Sequence, residues 1–253
     1  MSKVLDTTWG ILQSLRNFSF LDDLEDVTSG GKYTNTNTGT GAALAAVNGA
    51  GTLGGQATLT TGTTTGNLSA RALTNPVFVP VQDVPMYFRT RFKFTEANTN
   101  QANVYAGFSS AFPADTLQSA NSGPLANFSG FGFYKAGGST TWSIIVSNGT
   151  TQQTLLLTSA NLMGQGDPRI TQTSGLGAWT LLEVIVENIT ATACDVLFKI
   201  NGVLVHKYIG VVWTSMAAMS AGVEMKAGST ATVTEVLTLD YFCGQQQRFA
   251  QEF

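Results

Sequence analysis

Charged residues are scarce in this chain: Asp, Glu, Lys and Arg make up 11% of its 253 residues, against about 25% in an ordinary soluble domain. A chain with so few charges, 27 glycines and many threonines suits strands and turns rather than surface helices. Its 13 basic residues form no basic run and are outnumbered by 16 acidic ones, so we expect no nucleic-acid partner. No apolar run reaches the length of a membrane span, so we expect no membrane partner either.

Histidine and cysteine are also nearly absent, with one histidine and two cysteines in the whole chain. These three residues cannot build an ordinary four-ligand zinc site without carboxylates. Cys194 and Cys243 lie far apart in strand-like runs, and we interpret them as buried free thiols. Catalysis of the Ser-His-Asp type would have to recruit His206.

This histidine follows a sharp turn in the stretch FKINGVLVHKY, residues 198–208. Apolar residues alternate on both sides of Asn201-Gly202, and Asn-Gly is the strongest short-range signal for a two-residue hairpin turn. The turn predicts the cross-strand pairs Ile200–Val203, Lys199–Leu204, Phe198–Val205, Leu197–His206 and Asp195–Tyr208. His206 would then lie on the polar face, where no orienting partner or nucleophile is within reach. We therefore interpret His206 as a structural residue of the strand surface, without a catalytic role.

Alternating apolar and polar residues predict about a dozen short strands in the rest of the chain. The clearest is PMYFRTRFKFTE, residues 85–96, in which apolar side chains face one way and polar ones the other. The residues predicted to face solvent in it are Tyr87, Arg89, Arg91 and Lys93. The sequence therefore predicts an all-β fold, an antiparallel two-sheet jelly-roll sandwich over residues 21–253, with Phe92 and Phe198 in its core.

Residues 1–20 are predicted to form a short N-terminal helical arm. Within it, residues 7–17 read as an amphipathic helix with its apolar side chains on one stripe. Helices this short are marginal in water, so we expect the arm to be ordered only where that stripe is covered. The predicted partner-binding residues are Trp9, Leu12, Leu15 and Phe18. We expect them to contact a second copy in a homo-oligomer or another protein.

Two motifs suggest enzymatic chemistry and are better explained otherwise. GAGTLG, residues 49–54, matches the G-x-G-x-x-G dinucleotide fingerprint, but a β-like, turn-rich segment follows where a helix is required. We interpret it as a hairpin loop. Glu183 and Glu187 share one face of a strand with Cα atoms about 13 Å apart, too far for a glycosidase pair. We interpret them as solvated strand charges and predict no catalytic residue.

A calcium site is an alternative at two places, because hard cations take carboxylate oxygens. One is Asp240 in LTLDYF, and the other is the acidic run Asp22, Asp23, Glu25 and Asp26. The favoured interpretation is a solvated loop for the run and an ordinary polar strand residue for Asp240. No metal or cofactor is therefore expected.

The hairpin WTLLEVIVEN…CDVLFKINGVLVHKY resembles the W-x-x-L-x-V-x-V…V-x-F-Y-V-N-G-x-x-V hairpin of concanavalin A-like sandwich domains, the laminin-G and glucanase group. The ending LTLDYF resembles their closing strand, V-D-Y-V. In glucanases of this fold the aspartate that matches Asp240 binds a structural calcium. Their catalytic signature E-x-D-x-x-E is missing here, so the resemblance does not imply hydrolase activity.

The whole layout also resembles a set of tailed-phage virion proteins over about residues 20–245. The resemblance rests on LDDLEDVTSGGKYTNTNTGTG, MYFRTRFKF and LTLDYF. It implies a non-enzymatic capsid decoration protein, made in the host cytoplasm, that docks on the major capsid protein of a virion. The alternative is a carbohydrate-binding module or adhesin that binds surface glycans through outward-facing aromatics such as Tyr87, Tyr105 and Tyr134.

Overall fold

The computed structural model describes residues 17–22, 24, 30–47, 55–96, 101–170, 176–229 and 233–247. In these residues it contains fifteen strands, with the following bounds: β1 Asn17–Asp22, β2 Tyr33–Thr38, β3 Ala42–Ala46, β4 Ala57–Thr61, β5 Leu68–Leu73, β6 Met86–Thr95, β7 Ala102–Ser109, β8 Ser129–Lys135, β9 Ser143–Asn148, β10 Gln152–Leu156, β11 Leu176–Glu187, β12 Ala193–Ile200, β13 Val203–Val212, β14 Ser220–Ala227 and β15 Val236–Gln247. No helix in this part of the chain is long and apolar enough to cross a membrane.

The strands form two antiparallel sheets, which confirms the predicted all-β two-sheet sandwich. Sheet A runs in the order β13-β12-β11-β6-β15-β4-β3, and sheet B in the order β10-β9-β8-β7-β14-β5-β2. In sheet A the long strand β15 has two partners on one side. Its residues 236–239 pair with β4, and its residues 242–247 pair with β1.

The core lies between the sheets and is rich in aromatic rings. Phe92 of β6 lies 5.7 Å from Trp142, and Phe198 of β12 lies 5.4 Å from Phe133 of β8, measured between ring centroids. Phe92 is 1% exposed and Phe198 is 0% exposed, so both predicted core positions are confirmed. Full burial of one such side chain is worth about 1.5–3 kcal/mol.

The predicted register of the β12–β13 hairpin is correct next to the turn and wrong beyond it. Ile200 pairs with Val203 and Lys199 with Leu204, but Phe198 then pairs with His206 instead of Val205. A β-bulge adds one residue to β13 at this point, so Leu197 pairs with Lys207 and Val196 with Tyr208. A second irregularity shifts the register once more, and Cys194 pairs with Val211.

The bulge also changes the side of the sheet on which His206 lies. His206 stands opposite Phe198, on the side that faces the core, and its ring lies 4.8 Å from that of Tyr208. Burial lowers the pKa of His206. The prediction that His206 lies on the polar face opposite Leu197 is therefore wrong.

The outer face of sheet B is partly covered by the segment of residues 110–128. Beneath it, Tyr105 of β7 is fully buried and packs edge-on against Phe112 and Phe128. Glu224 of β14 accepts hydrogen bonds from the backbone amides of Thr116 and Leu117, at 2.8 Å and 3.2 Å. A buried carboxyl group thus ties this covering segment to the sheet.

The last residue of the predicted N-terminal helix, Asn17, belongs to a strand in the structure. Asn17 and Phe18 belong to β1 and pair with Gln247 and Gln246, so the predicted helix end and the arm boundary at residue 20 fall inside a strand. The reason is that β4 leaves the second half of β15 unpaired, and β1 supplies the missing hydrogen bonds there. The described residues contain no helix. Trp9, Leu12 and Leu15 lie outside them.

Two further predictions concern the cysteines and the glycine-rich motif. Cys194 and Cys243 are both free; Cys194 is buried, as predicted, and Cys243 is half-buried. Burial raises the pKa of the Cys194 thiol to about 12, which keeps it protonated and inert. Residues 49–54 lie outside the described residues, but β3 and β4 on either side pair as an antiparallel hairpin.

Candidate functional site on the outer face of sheet A

The outer face of sheet A presents a column of polar side chains from β6. Tyr87, Arg89, Arg91 and Lys93 alternate with buried residues and are all half-exposed, so the predicted wet face of this strand is confirmed. We call the surface around this column the Trp179 face. Its members are Tyr87, Arg89, Arg91, Lys93, Trp179, Leu181, Glu183, Lys199, Asp240 and Tyr241.

Two β-bulges flank this column, one on β11 opposite the Lys93–Thr95 part of β6 and one on β15 opposite Arg91 and Phe92. The register of β11 against β6 shifts between Leu176 and Trp179, where Gly177 adopts a positive φ of 70°. The register of β15 against β6 shifts between Leu239 and Tyr241. Bulges turn side chains away from the regular alternation and are frequent next to functional sites.

The side chains between the bulges form one contiguous group. The guanidinium of Arg91 lies 4.6 Å from the Trp179 ring centroid, and the ammonium of Lys93 lies 5.6 Å from it. Arg91 Nη1 also donates to Asp240 Oδ2 at 2.8 Å, and Gln56 Nε2 donates to Asp240 Oδ1 at 3.4 Å. Asp240 thereby holds Arg91 against the indole, and the group is fixed by strands rather than loops.

The ion pair between Arg91 and Asp240 bears on the two possible calcium sites. The Asp240 carboxylate is engaged by Arg91, and within the described ranges no group of three or more His, Cys, Asp or Glu side chains could hold a metal ion. Asp23, Glu25 and Asp26 of the acidic run lie outside those ranges, and Asp22 ends β1.

A second group lies further along β6. Tyr87 Oη donates to Glu183 Oε1 at 2.5 Å, and Arg89 Nε lies 3.8 Å from the same oxygen. Burial and the adjacent Glu183 raise the pKa of Tyr87 well above its ordinary value, so the phenol stays protonated as the donor. Glu183 is 9% exposed. The interpretation of Glu183 as a solvated charge is therefore wrong.

Glu187 belongs to a separate ion-pair group at the far end of the same face. Lys207 Nζ lies 3.4 Å from Glu187 Oε1 and 2.9 Å from Asp195 Oδ2. Hydrogen bonds from Asn188 and Lys207 hold the pKa of Asp195 below its ordinary value. Glu183 and Glu187 thus have different partners.

The tyrosines predicted to serve a sugar site are not brought together. Tyr87 lies on sheet A, whereas Tyr105 and Tyr134 are neighbours in sheet B. Tyr105 is fully buried under residues 110–128, and Tyr134 packs against the same apolar cluster. The prediction that Tyr105 offers its ring on an outer surface is wrong, because the covering segment removes it from solvent.

A small cleft of about 150 Å³ lies at the edge of the sandwich, between the β9–β10 turn and β13. We call it the edge cleft; it is lined by Val146, Asn148, Thr151, Gln153, Ile209, Gly210, Val211 and Val212. Ile209 is 79% exposed at its rim, and Val212 is 50% exposed. β13 and β10 are both terminal strands of their sheets in the described structure.

Trp179 and Tyr241 were not among the predicted site residues. The alternation in WTLLEVIVE places Trp179, Leu181 and Glu183 on one side of a strand, which is a usable signal. What the sequence could not supply is the pairing of β11 with β6, which sets Trp179 beside Lys93.

No protein-family model matches the sequence, and no curated protein does either. Solved structures do resemble the fold. The carbohydrate recognition domain of Emp47p is 11% identical, with a TM-score of 0.58 over 93% of this chain and 99% of that one. An endo-1,3-beta-glucanase from Streptomyces sioyaensis is 12% identical, with a TM-score of 0.57 over 92% and 97%. Peanut lectin is 11% identical, with a TM-score of 0.55 over 93% and 99%.

These similarities define the class of the fold as a concanavalin A-like, or legume-lectin-like, β-sandwich. The predicted resemblance to that group is therefore confirmed at the level of the fold. The expected role in a phage particle, the virion location and the absence of enzymatic activity stay predictions.

Proposed function

We propose that this protein is a non-catalytic carbohydrate-binding protein and that the Trp179 face is its sugar-binding surface. The observation that carries the proposal is the half-exposed indole of Trp179, held against Arg91 and surrounded by polar side chains. Sugar rings offer apolar C–H faces and a rim of hydroxyl groups, so an aromatic ring with adjacent donors and acceptors suits them.

The fold supports the proposal without defining its ligand. Two of the similar structures are a carbohydrate recognition domain and a lectin, and a third is a glucanase. Binding without hydrolysis is proposed because the acids of the Trp179 face already have partners. Glu183 is held by Tyr87, and Asp240 by Arg91. A general acid and a nucleophile both need freedom to exchange protons or bonds with a substrate.

A glycan array followed by titration calorimetry tests this function. Trp179→Ala should weaken binding to any retained glycan by about tenfold or more, as expected for an aromatic anchor. Trp213→Ala is the matched control. Trp213 is also half-buried, but it follows the last residue of β13, whereas Trp179 lies near the start of β11, so the two rings lie at opposite ends of the sheet along the strand direction. Thermal melts of both variants check folding. Equal affinity of Trp179→Ala and the wild type would contradict the assignment of the site.

A protein-docking role is the second candidate, and the predicted major capsid protein belongs to it. The observation that favours it is the set of exposed apolar side chains on the two terminal strands: Ile209 and Val212 of β13, which line the edge cleft, and Leu156 of β10. Exposed apolar side chains on terminal strands are common at protein interfaces.

Copurification with an icosahedral shell, or detection of a dimer in solution, tests this role.

The predicted arm contact is tested by deleting residues 1–16, which keeps β1 intact. If the arm docks on a partner, the truncated protein should melt normally but lose assembly. A lowered melting temperature with assembly reduced only in proportion would show that the arm packs on its own sandwich. Normal assembly and a normal melt would contradict both arrangements.

A further inference from the structure

We propose that the ligand of the Trp179 face is an anionic glycan, with a sugar ring stacked on Trp179 and a carboxylate or sulfate group recognised by Lys93. This inference rests on the proposed function and adds the chemical class of the ligand.

The charge balance of the face favours an acidic ligand. It carries four cationic side chains, Arg89, Arg91, Lys93 and Lys199, against the two carboxylates of Glu183 and Asp240. The chain as a whole has a net charge of −3, so this positive surplus is local. Beyond it, Lys207 stands between Glu187 and Asp195, and the balance there is negative. The positive end of the sheet face is therefore the end that holds Trp179.

The cationic side chains at this end of the face are neutralised to different degrees. Arg91 is paired with Asp240 at 2.8 Å. In the part of the chain that the structure describes, no carboxylate lies within 4.0 Å of the Lys93 ammonium. The Lys93 ammonium lies 5.6 Å from the Trp179 ring centroid. Among the described residues, Lys93 thus offers a positive charge without a carboxylate partner, directly beside the proposed stacking surface.

The Trp179 ring and the Lys93 ammonium are close enough to contact the same ligand. A single exposed ion pair is weak, because water and salt screen it. A ring stacked on Trp179 would hold an acidic substituent close to Lys93, so the charge would add discrimination to a contact made by the indole. Arg91, whose charge is met by Asp240, acts as a support for the indole. The expected ligand is therefore acidic and ring-containing.

The test is calorimetric titration of the full chain with two matched pairs of probes. One pair is oligogalacturonate and its methyl ester, and the other is dextran sulfate and dextran. The acidic member of at least one pair should bind more tightly than its neutral partner, and the difference should shrink as salt is added. Lys93→Gln should weaken only acidic binding, by about three- to fivefold, the size of one exposed ion pair. Trp179→Ala should weaken both kinds of binding by about tenfold or more.

Lys32→Gln is the matched control. Lys32 is an exposed lysine whose ammonium also lies over an aromatic ring, 5.5 Å from that of Tyr33, but it precedes β2 in the other sheet. The Lys32→Gln variant should bind the acidic probes as tightly as the wild type does. Equal binding of acidic and neutral probes would overturn this inference and leave the proposed function standing. Acidic binding that Trp179→Ala leaves undiminished, or that Lys32→Gln weakens as much as Lys93→Gln, would be general charge attraction and would also overturn it. No binding to any probe, here and on the glycan array, would overturn both.

Discussion

At the scale of single residues, His206 shows how one bulge redirects a side chain. Because burial lowers the pKa of His206, the unfolded chain takes up a proton at a higher pH than the folded chain does. The histidine therefore adds stability above about pH 6.5, and that contribution is lost as the pH falls through the lower folded pKa. If His206 has only a structural role, it contributes this pH effect and takes no part in ligand binding.

His206→Ala should leave glycan binding unchanged and shift stability by no more than about 1 kcal/mol. Its stability should also vary less than that of the wild type between pH 7 and pH 5. Urea unfolding at the two pH values measures both effects. A folded variant that loses binding would show that the histidine belongs to a functional site.

Phe198 and Leu197 give a matched pair of adjacent residues on opposite sides of β12. Phe198 is fully buried against Phe133, whereas Leu197 is half-exposed on the outer face. Phe198→Ala should cost about 3–5 kcal/mol in the free energy of unfolding, and Leu197→Ala clearly less. Chemical denaturation compares them, and similar costs would contradict the assigned faces.

At the scale of elements, the segment of residues 110–128 depends on a buried acid. Burial, followed by the nearby Asp115, raises the pKa of Glu224 well above its ordinary value, so the folded chain keeps a proton that the unfolded chain loses near pH 4.5. The stability that this carboxyl group provides is therefore complete below about pH 4.5 and falls as the pH rises toward the folded pKa.

Glu224→Gln keeps an uncharged acceptor at the same place and should be insensitive to this titration. The stability of the wild type relative to Glu224→Gln should therefore fall between pH 5 and pH 8, measured by urea unfolding. Glu187→Gln, on the more exposed Glu187, is the control for replacing a carboxylate by an amide. A wild-type advantage that grows with pH would mean that Glu224 is ionised in the folded protein.

The same scale shows which elements could be predicted from sequence. β6 and the Asn201-Gly202 turn were predictable, since alternation and turn chemistry act over a few residues. The bulges at Val205 and Asp240 were not, because they follow from how neighbouring strands fit together. The strand at Asn17 was missed because its partner lies at the other end of the sequence.

At the scale of the whole molecule, composition and alternation were enough to predict a two-sheet sandwich, since few charges and many strand-forming residues leave few other folds. They were also enough to predict the cationic column of the Trp179 face. The site itself could not be predicted, because Trp179, Lys93 and Asp240 lie on three strands that are far apart in the sequence. These strands become neighbours only through the strand order of sheet A. Their arrangement is therefore a property of the assembled sheet.

The most direct test of the account is a crystal structure of the full chain soaked with the tightest-binding glycan from the array. The account predicts a sugar ring stacked on Trp179, with an acidic substituent within ion-pair distance of Lys93 Nζ. A glycan bound in the edge cleft or over residues 110–128, with Trp179 and Lys93 uncontacted, would contradict it.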